Sequence, residues 1–283
     1  MASMLNKAVQ VIMFLSLKGG VGKSTLSSSF ANYISEVLGF PTALWDLDIT
    51  SPSCPKIFGI AGHDIEVRDK IIPVQFSKNL KILSIDFFLP SSDQPIIFKG
   101  VRKASVIEQF LKTVDFGDVK YLVLDTPPTT SEELLTILEL FERDRIEMVF
   151  VTQPSDISNN SVQKSVRYLK EKGYKIKGIL SNMSTAECPQ CHHKFSLFDN
   201  RGETVEQIAT RYGIPYLGDI PAGEKKSDKG AFLVGDNFKA VADKILSTES
   251  IQFKPTFGKI GALDKLMLAM SLKRGLKKME GEK

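Results

Sequence analysis

Short runs of Val, Ile, Leu and Phe alternate along this chain with longer stretches in which apolar residues recur at helical spacing. A parallel sheet covered by helices imposes that pattern. The apolar runs predict strands over 9–17, 41–46, 80–85, 120–125, 146–152, 176–181 and 215–220. The clearest helix follows the first run, where Leu26, Phe30, Tyr33, Ile34, Val37 and Leu38 fall at i, i+4, i+7, i+8, i+11 and i+12. That stripe should lie on the sheet. A second helix begins at Ser131, a good N-cap, and should bury Leu134, Leu135, Leu138 and Phe141. Further helices are predicted over 102–114, 156–172, 203–212 and 237–247. The result is an α/β fold, a doubly wound and mostly parallel sheet of about seven strands, with ligands at the carboxyl ends of the strands. No repeat or low-complexity linker interrupts it, so residues 1–250 read as one domain and 251–283 as an appended extension.

Composition narrows the class. A chain of 283 residues, 42% hydrophobic and 25% charged, can bury a full core. No apolar stretch approaches the roughly 20 residues of a membrane span. The run "VQVIMFLSL" lacks a small-residue cleavage site and leads straight into a glycine loop, so it reads as a strand and not a signal peptide. A soluble, cytoplasmic protein is expected. Residues 259–283 hold seven Lys/Arg against three acids, and removing them from the totals of 37 and 33 leaves 30 of each. The body is therefore neutral and offers little phosphate-neutralising surface, which excludes a nucleic-acid partner. Any anionic partner should meet the tail.

The glycine loop carries the first chemistry. In "SLKGGVGKST", residues 16–25, the segment Gly19, Gly20, Val21, Gly22, Lys23, Ser24 and Thr25 lies between a strand and an amphipathic helix. Glycines let backbone N–H groups turn inward around an anion, the helix N-terminus adds partial positive charge, and Lys23 reaches the outer phosphates. Ser24 is placed to ligate Mg2+. "ALWDLDITSPS" ends a strand with Asp46 and Asp48 two apart, hence on one side of the strand end. "YLVLDTPP" is an apolar strand ending in Asp125, the position that holds Mg2+ in phosphate-loop enzymes. Acids at strand ends are often only helix caps; alongside the loop, these three read as one ATP and Mg2+ site.

Two lysines, Lys18 and Lys23, flanking three glycines resemble the deviant Walker A loop of the MinD, ParA and nitrogenase iron-protein class of dimeric P-loop ATPases. The resemblance implies that Lys18 reaches across a homodimer interface to the partner's nucleotide. It also implies that Asp48 orients the attacking water, with Asp46 beside it at the Mg2+. Within the class the chain is most similar to the Mrp/ApbC branch, ATPases thought to carry and insert iron-sulfur clusters. The matching segments, over about residues 8–245, are "DLDITSPSCPKIFG", "LSIDFF", "FKG", "YLVLDTPP", "VTQPSDIS", "GILSNMSTAECPQC" and "YLGDIPAGEKKSDKG". By this resemblance Asn182 recognises adenine. Two departures stand out: Thr129, Thr130, Ser131 and Glu132 replace the branch's glycine-rich second switch, and Lys99 stands where arginine is common. The stiffer switch bears on hydrolysis rate more than on nucleotide binding.

Cys188 and Cys191, in "CPQC" followed by His192 and His193, are spaced so that both sulfurs can meet one ion. Four ligand types in one loop could make a zinc site, yet adjacent side chains seldom both reach one tetrahedral ion. The resemblance implies instead that two subunits each supply two thiolates to one shared [4Fe-4S] cluster, destined for recipient iron-sulfur apoproteins. An inert or redox pair is the third reading. Cys54, beside the first switch, reads as structural. No cysteine lies in 55–187, which removes nitrogenase-type electron transfer. In the tail, Ile260, Leu263, Leu266, Met267 and Met270 form a helical stripe ending in Lys273, Arg274, Lys277 and Lys278. It reads as a helix docked on protein or, as MinD-like proteins use such a tail, on anionic membrane. The expectation is therefore an ATP-hydrolysing carrier of an iron-sulfur cluster. The alternatives are a membrane-associated positioning ATPase with a zinc-stapled Cys pair and a nucleotide-dependent scaffold of negligible turnover.

Overall fold

The structure is a computed structural model that describes residues 8–16, 18–88, 103–128, 132–154, 160–198 and 203–254. All seven expected strands are present: β1 (Gln10–Leu15), β2 (Thr42–Asp46), β6 (Leu80–Leu83), β7 (Tyr121–Asp125), β8 (Ile146–Thr152), β9 (Lys175–Asn182) and β12 (Tyr216–Ile220). They pair in parallel in the order β12-β9-β8-β1-β7-β2-β6. Two short antiparallel strands add to the sheet, β5 (Val74–Gln75) on the edge strand β6 and β13 (Ile251–Gln252) on the start of β9, before the stretch that pairs with β12. Thus the first two residues of the expected extension belong to the sheet. Two hairpins stand apart, β3 (Glu66–Val67) with β4 (Ile71–Ile72) and β10 (Thr185–Glu187) with β11 (Lys194–Ser196).

Central strands read as unbroken apolar runs because both of their faces are buried. Along β1, Val11, Met13 and Leu15 enter one core while Ile12 and Phe14 enter the other. The first core is closed by α3 (Lys103–Thr113), α4 (Glu132–Leu140), α5 (Asn160–Lys172) and α6 (Val205–Tyr212). The second is closed by α1 (Lys23–Asn32), α2 (Cys54–Phe58) and α7 (Asp236–Ser247). Leu134, Leu138 and Phe141 are buried as the helical spacing requires; the side chain of Leu135 lies outside the described residues.

One expectation fails. Leu26, Phe30, Tyr33 and Ile34 are buried on the sheet, but Val37 and Leu38 are 60% and 37% exposed. The helix widens into a π turn over Tyr33–Val37, closed by Leu38 N–H donating to Tyr33 O at 3.1 Å. A bond spanning five residues delays the rotation per residue, so the last two members of the stripe turn away from the sheet. Ser131, the expected N-cap, lies outside the described residues, as do Lys99, Thr129, Thr130 and the basic tail over 259–283; of Glu132 only the backbone is described. Among the described residues no helix is long and apolar enough to cross a membrane.

Candidate nucleotide and metal site

The loop after β1 meets the carboxyl ends of β2 and β7, where the chain's order in the sheet reverses around β1. Gly20 and Gly22 adopt φ of 81° and 86°, the left-handed turn that lets the loop fold back and start α1. Lys23 is the first residue of that helix, and its Nζ donates to Asp125 Oδ1 at 2.6 Å and to Ser24 Oγ at 3.3 Å. The pair is only 5% and 0% exposed. Burial works against the ammonium, yet the charge and hydrogen bond of Asp125 outweigh it and hold the Lys23 pKa above its usual value. Lys18, Gly19 and Gly20 lie on the surface, whereas Val21 is buried.

Asp46 ends β2 directly opposite Asp125 in the sheet register. Its carboxylate accepts N–H bonds from Asp48 at 3.1 Å, Ser53 at 2.9 Å and Cys54 at 3.0 Å. The last two come from the start of α2, where Pro55 in the first turn needs no partner for a missing donor. Burial and then the neighbouring Asp125 push the Asp46 pKa up to about 7, against the pull of those N–H groups and Lys23. Asp48, half-buried, accepts from Thr50 N–H at 3.2 Å and Ser51 N–H at 3.1 Å, and burial raises its pKa. The structure therefore brings together Lys23, Ser24, Asp46, Asp48 and Asp125.

Two buried carboxylates face one ammonium here, and that excess of negative charge suits a divalent cation. The oxygens of Ser24, Asp46 and Asp125 are the donor set that hard, oxygen-seeking Mg2+ prefers. A folded Asp46 keeps its proton to about pH 7, an unfolded one only to about pH 4. Between these values the folded state binds more protons, so nucleotide-free protein should lose stability as pH rises. The expected loss through this group is on the order of 4 kcal/mol. Urea unfolding of wild type and Asp46→Asn across that window should show the slope only in wild type; groups common to both cancel. Parallel slopes would contradict the assignment.

Two contributors escaped the sequence reading, and a third, Cys54, was read there as structural. Ser27 Oγ donates to Asp125 Oδ1 at 3.0 Å; its place four residues after Lys23, on the same helix face, was the available signal. Thr126 Oγ1 donates to Phe14 O at 2.9 Å and ties the end of β7 to the end of β1. Cys54, fully buried, points its thiol at the site, with Sγ 3.8 Å from Asp125 Oδ2. Asn182, at the end of β9, is buried against the loop and donates from Nδ2 to Val21 O at 2.8 Å.

The cysteine pair sits at the tip of the β10–β11 hairpin. Cys188 N–H donates to His193 O at 3.0 Å and His192 N–H to Cys188 O at 2.9 Å, closing a tight knuckle with His192 at φ 58°. N–H groups of Cys191 and then Gln190 aim at the Cys188 sulfur and lower its pKa, favouring the thiolate that binds metal. His192 Nδ1 is 2.7 Å from Glu187 Oε1. Among the described residues no His, Asp or Glu joins the two thiols to make a set of three ligands at metal spacing. Phe195 and Leu197 beside the knuckle are 44% and 43% exposed.

A lysine- and glycine-bearing loop between β1 and α1, facing acids at the ends of β2 and β7 of this parallel sheet, defines a P-loop NTPase. Residues 7–250 match the model of the NUBPL iron-transfer P-loop NTPase, of the ParA group, and the chain belongs to that family. It is 37% identical over 222 residues to the cytosolic Fe-S cluster assembly factor Nubp2 homolog of Aedes aegypti, covering 77% of this chain and 85% of that one. Its fold is similar to that of a nucleotide-binding protein from Archaeoglobus fulgidus, solved with ADP and with cobalt detected. That match has TM-score 0.63 and 27% identity, over 84% of this chain and 87% of that one. The septum site-determining protein MinD of Pyrococcus horikoshii, solved with Mg-ADP, shares the fold at TM-score 0.56 and 20% identity, over 84% and 96% of the two chains.

Proposed function

We propose that this protein is a cytoplasmic, ATP-binding and ATP-hydrolysing homodimer that carries a [4Fe-4S] cluster to apoproteins. The observation that carries the reading is the knuckle: two thiols, one of them tuned toward thiolate, with no third ligand beside them among the described residues. A four-thiolate cluster then needs a second copy. The exposed Phe195 and Leu197 next to the pair suit an interface that would shield such a cluster. The same residues disfavour a one-chain zinc staple. The name of the Aedes aegypti relative points to the same cargo.

In this reading the loop from Gly19 to Thr25 cradles the phosphates with its backbone N–H groups. Lys23 transfers its charge from Asp125 to the outer phosphates, leaving Ser24, Asp46 and Asp125 as the residues that would hold Mg2+. Mg2+ neutralises charge that develops on the phosphates. Asp48 orients the attacking water, Lys18 stabilises the partner's nucleotide, and Asn182 turns from Val21 to adenine. Residues 1–250 form the ATPase unit and 251–283 its basic extension.

Nucleotide state has a short route to the cysteines. Asn182 touches the phosphate loop, and Cys188 follows six residues later. Between them Met183 is held at φ 55°, a left-handed conformation unusual outside glycine. Movement of Asn182 onto a nucleotide would pull directly on the hairpin.

Anaerobic reconstitution with iron and sulfide tests the cargo. Wild type should take up about four irons per two chains, and Cys188→Ser/Cys191→Ser should take up only background. Equal uptake by both proteins, or wild type purified with stoichiometric zinc, would sink the carrier reading. A second test addresses the dimer. Lys18→Ala should keep nucleotide affinity but lose turnover by roughly a hundredfold or more, as removal of a charge supplied in trans does in related chemistry. Unchanged turnover would mean that Lys18 serves only its own surface.

A further inference from the structure

Asp46, Cys54 and Asp125 place one ligand atom each within 4.8 Å of one another, and all three residues are buried. The 3.8 Å between Cys54 Sγ and Asp125 Oδ2 is close to the roughly 3.5 Å expected between a thiolate sulfur and a carboxylate oxygen on one tetrahedral zinc-type ion. The thiol is held there firmly. Cys54 opens α2, whose Phe58 packs edge-to-face on Phe76 and at a tilt on Phe232, at centroid distances of 4.8 Å and 5.2 Å, and Ile57 O accepts from Ala231 N–H at 2.8 Å. A further buried hydroxyl favours the thiolate: Ser28 Oγ faces the Cys54 thiol and acts to lower its pKa, against the burial that raises it.

Sulfur is the wrong donor for Mg2+, which takes oxygen ligands in octahedral geometry. One thiolate and two carboxylates instead suit a borderline-soft, tetrahedral cation. We propose that Asp46, Cys54 and Asp125 give this nucleotide site a second metal mode, in which a zinc-type divalent cation binds in the absence of nucleotide and blocks Mg-nucleotide from entering. Three protein ligands leave the fourth position to water. Binding exchanges protons for the metal: M2+ takes the place of the Cys54 thiol proton and of the proton Asp46 holds in the nucleotide-free site, and both are released to solvent. Two carboxylates and a thiolate then balance the ion and the Lys23 ammonium, leaving the buried site neutral. Soft-metal inhibition of nucleotide binding follows because the ion occupies Asp46 and Asp125, the acids that Mg2+ would use.

The inference rests on the nucleotide site but not on the cluster, so its test uses full-length Cys188→Ser/Cys191→Ser protein, in which Cys54 is the last cysteine of three. Nucleotide binding by this metal-free protein, measured with a fluorescent ATP analogue and Mg2+, separately judges the nucleotide reading. Cobalt(II) titrated without nucleotide should bind at about one ion per chain. It should show a near-ultraviolet thiolate-to-cobalt charge-transfer band with tetrahedral visible bands, both bleached by Zn2+. Zn2+ at about ten times its own Kd should weaken analogue binding about tenfold by mass action. Additional replacement of Cys54 by Ser, or by Ala where serine unsettles the buried site, should remove both effects. A folded background protein with no thiolate–cobalt band overturns the proposal without need of a Cys54 variant, as does zinc competition that survives loss of the thiol.

Discussion

Lys23→Ala should lower the stability of the nucleotide-free protein by about 3–5 kcal/mol, the usual consequence of stranding one partner of a buried ion pair. The ammonium it removes lies 2.6 Å from Asp125 Oδ1, with the two side chains 5% and 0% exposed. Without it, Asp46 and Asp125 face each other across the sheet register with no cation between them. Adding Asp125→Asn should restore most of the loss, because the stranded charge is gone. It should not restore nucleotide binding, for which Lys23→Ala costs roughly a hundredfold or more, the loss of a charge-assisted contact to phosphate. Urea unfolding and fluorescent-analogue binding on the two variants separate the effects. If Lys23→Ala were as stable as wild type, or Asp125→Asn gave no rescue, the pair would not be the electrostatic centre described.

Gly22→Ala should damage the loop by geometry alone. At φ 86° a residue with a Cβ loses about 1–2 kcal/mol relative to glycine, and here the Cβ would also overlap Asn182 Nδ2. Asn182 cannot step aside freely, since the same nitrogen donates to Val21 O at 2.8 Å. The loop must shift instead, carrying its N–H groups off the phosphates. Nucleotide affinity should fall by roughly ten- to a hundredfold, as it does when groups move about 1 Å from a productive geometry. Asn182→Ala in the Gly22→Ala background should recover part of the stability, by relieving the overlap, but not the part due to φ. Gly19 supplies the control: a Cβ there meets nothing within 4 Å, so Gly19→Ala should melt with wild type. Equal melting of all four proteins would refute the steric account.

Much of this was legible beforehand, for definite reasons. The seven parallel strands announced themselves because strands buried on both faces are apolar throughout, and the glycine loop because φ near 81° and 86° restricts the residue type. The stripe on the first helix was read correctly as far as Ile34 and then failed, since a constant period of 3.6 cannot foresee a bond from Leu38 back to Tyr33. The short edge strands were invisible for a different reason. Two residues carry too little pattern, and β5 and β13 exist because β6 and the start of β9 offer them open edges.

By itself the sequence determined the parallel α/β architecture, the phosphate loop, the acids at the ends of two strands and the cysteine knuckle, because each is written in residues that are adjacent or at fixed spacing. Only the tertiary structure decided what those pieces do to one another. It set Lys23 on Asp125, 102 residues away, and raised the Asp46 pKa by burying it beside a second acid. It leaned Asn182 on Val21 and brought the thiol of Cys54, read from the sequence as merely structural, to the carboxylates. Hydrophobic periodicity specifies which face of an element is buried, but the distance between two charges depends on how separate elements pack. That packing also left the cysteine knuckle without a third ligand among the described residues.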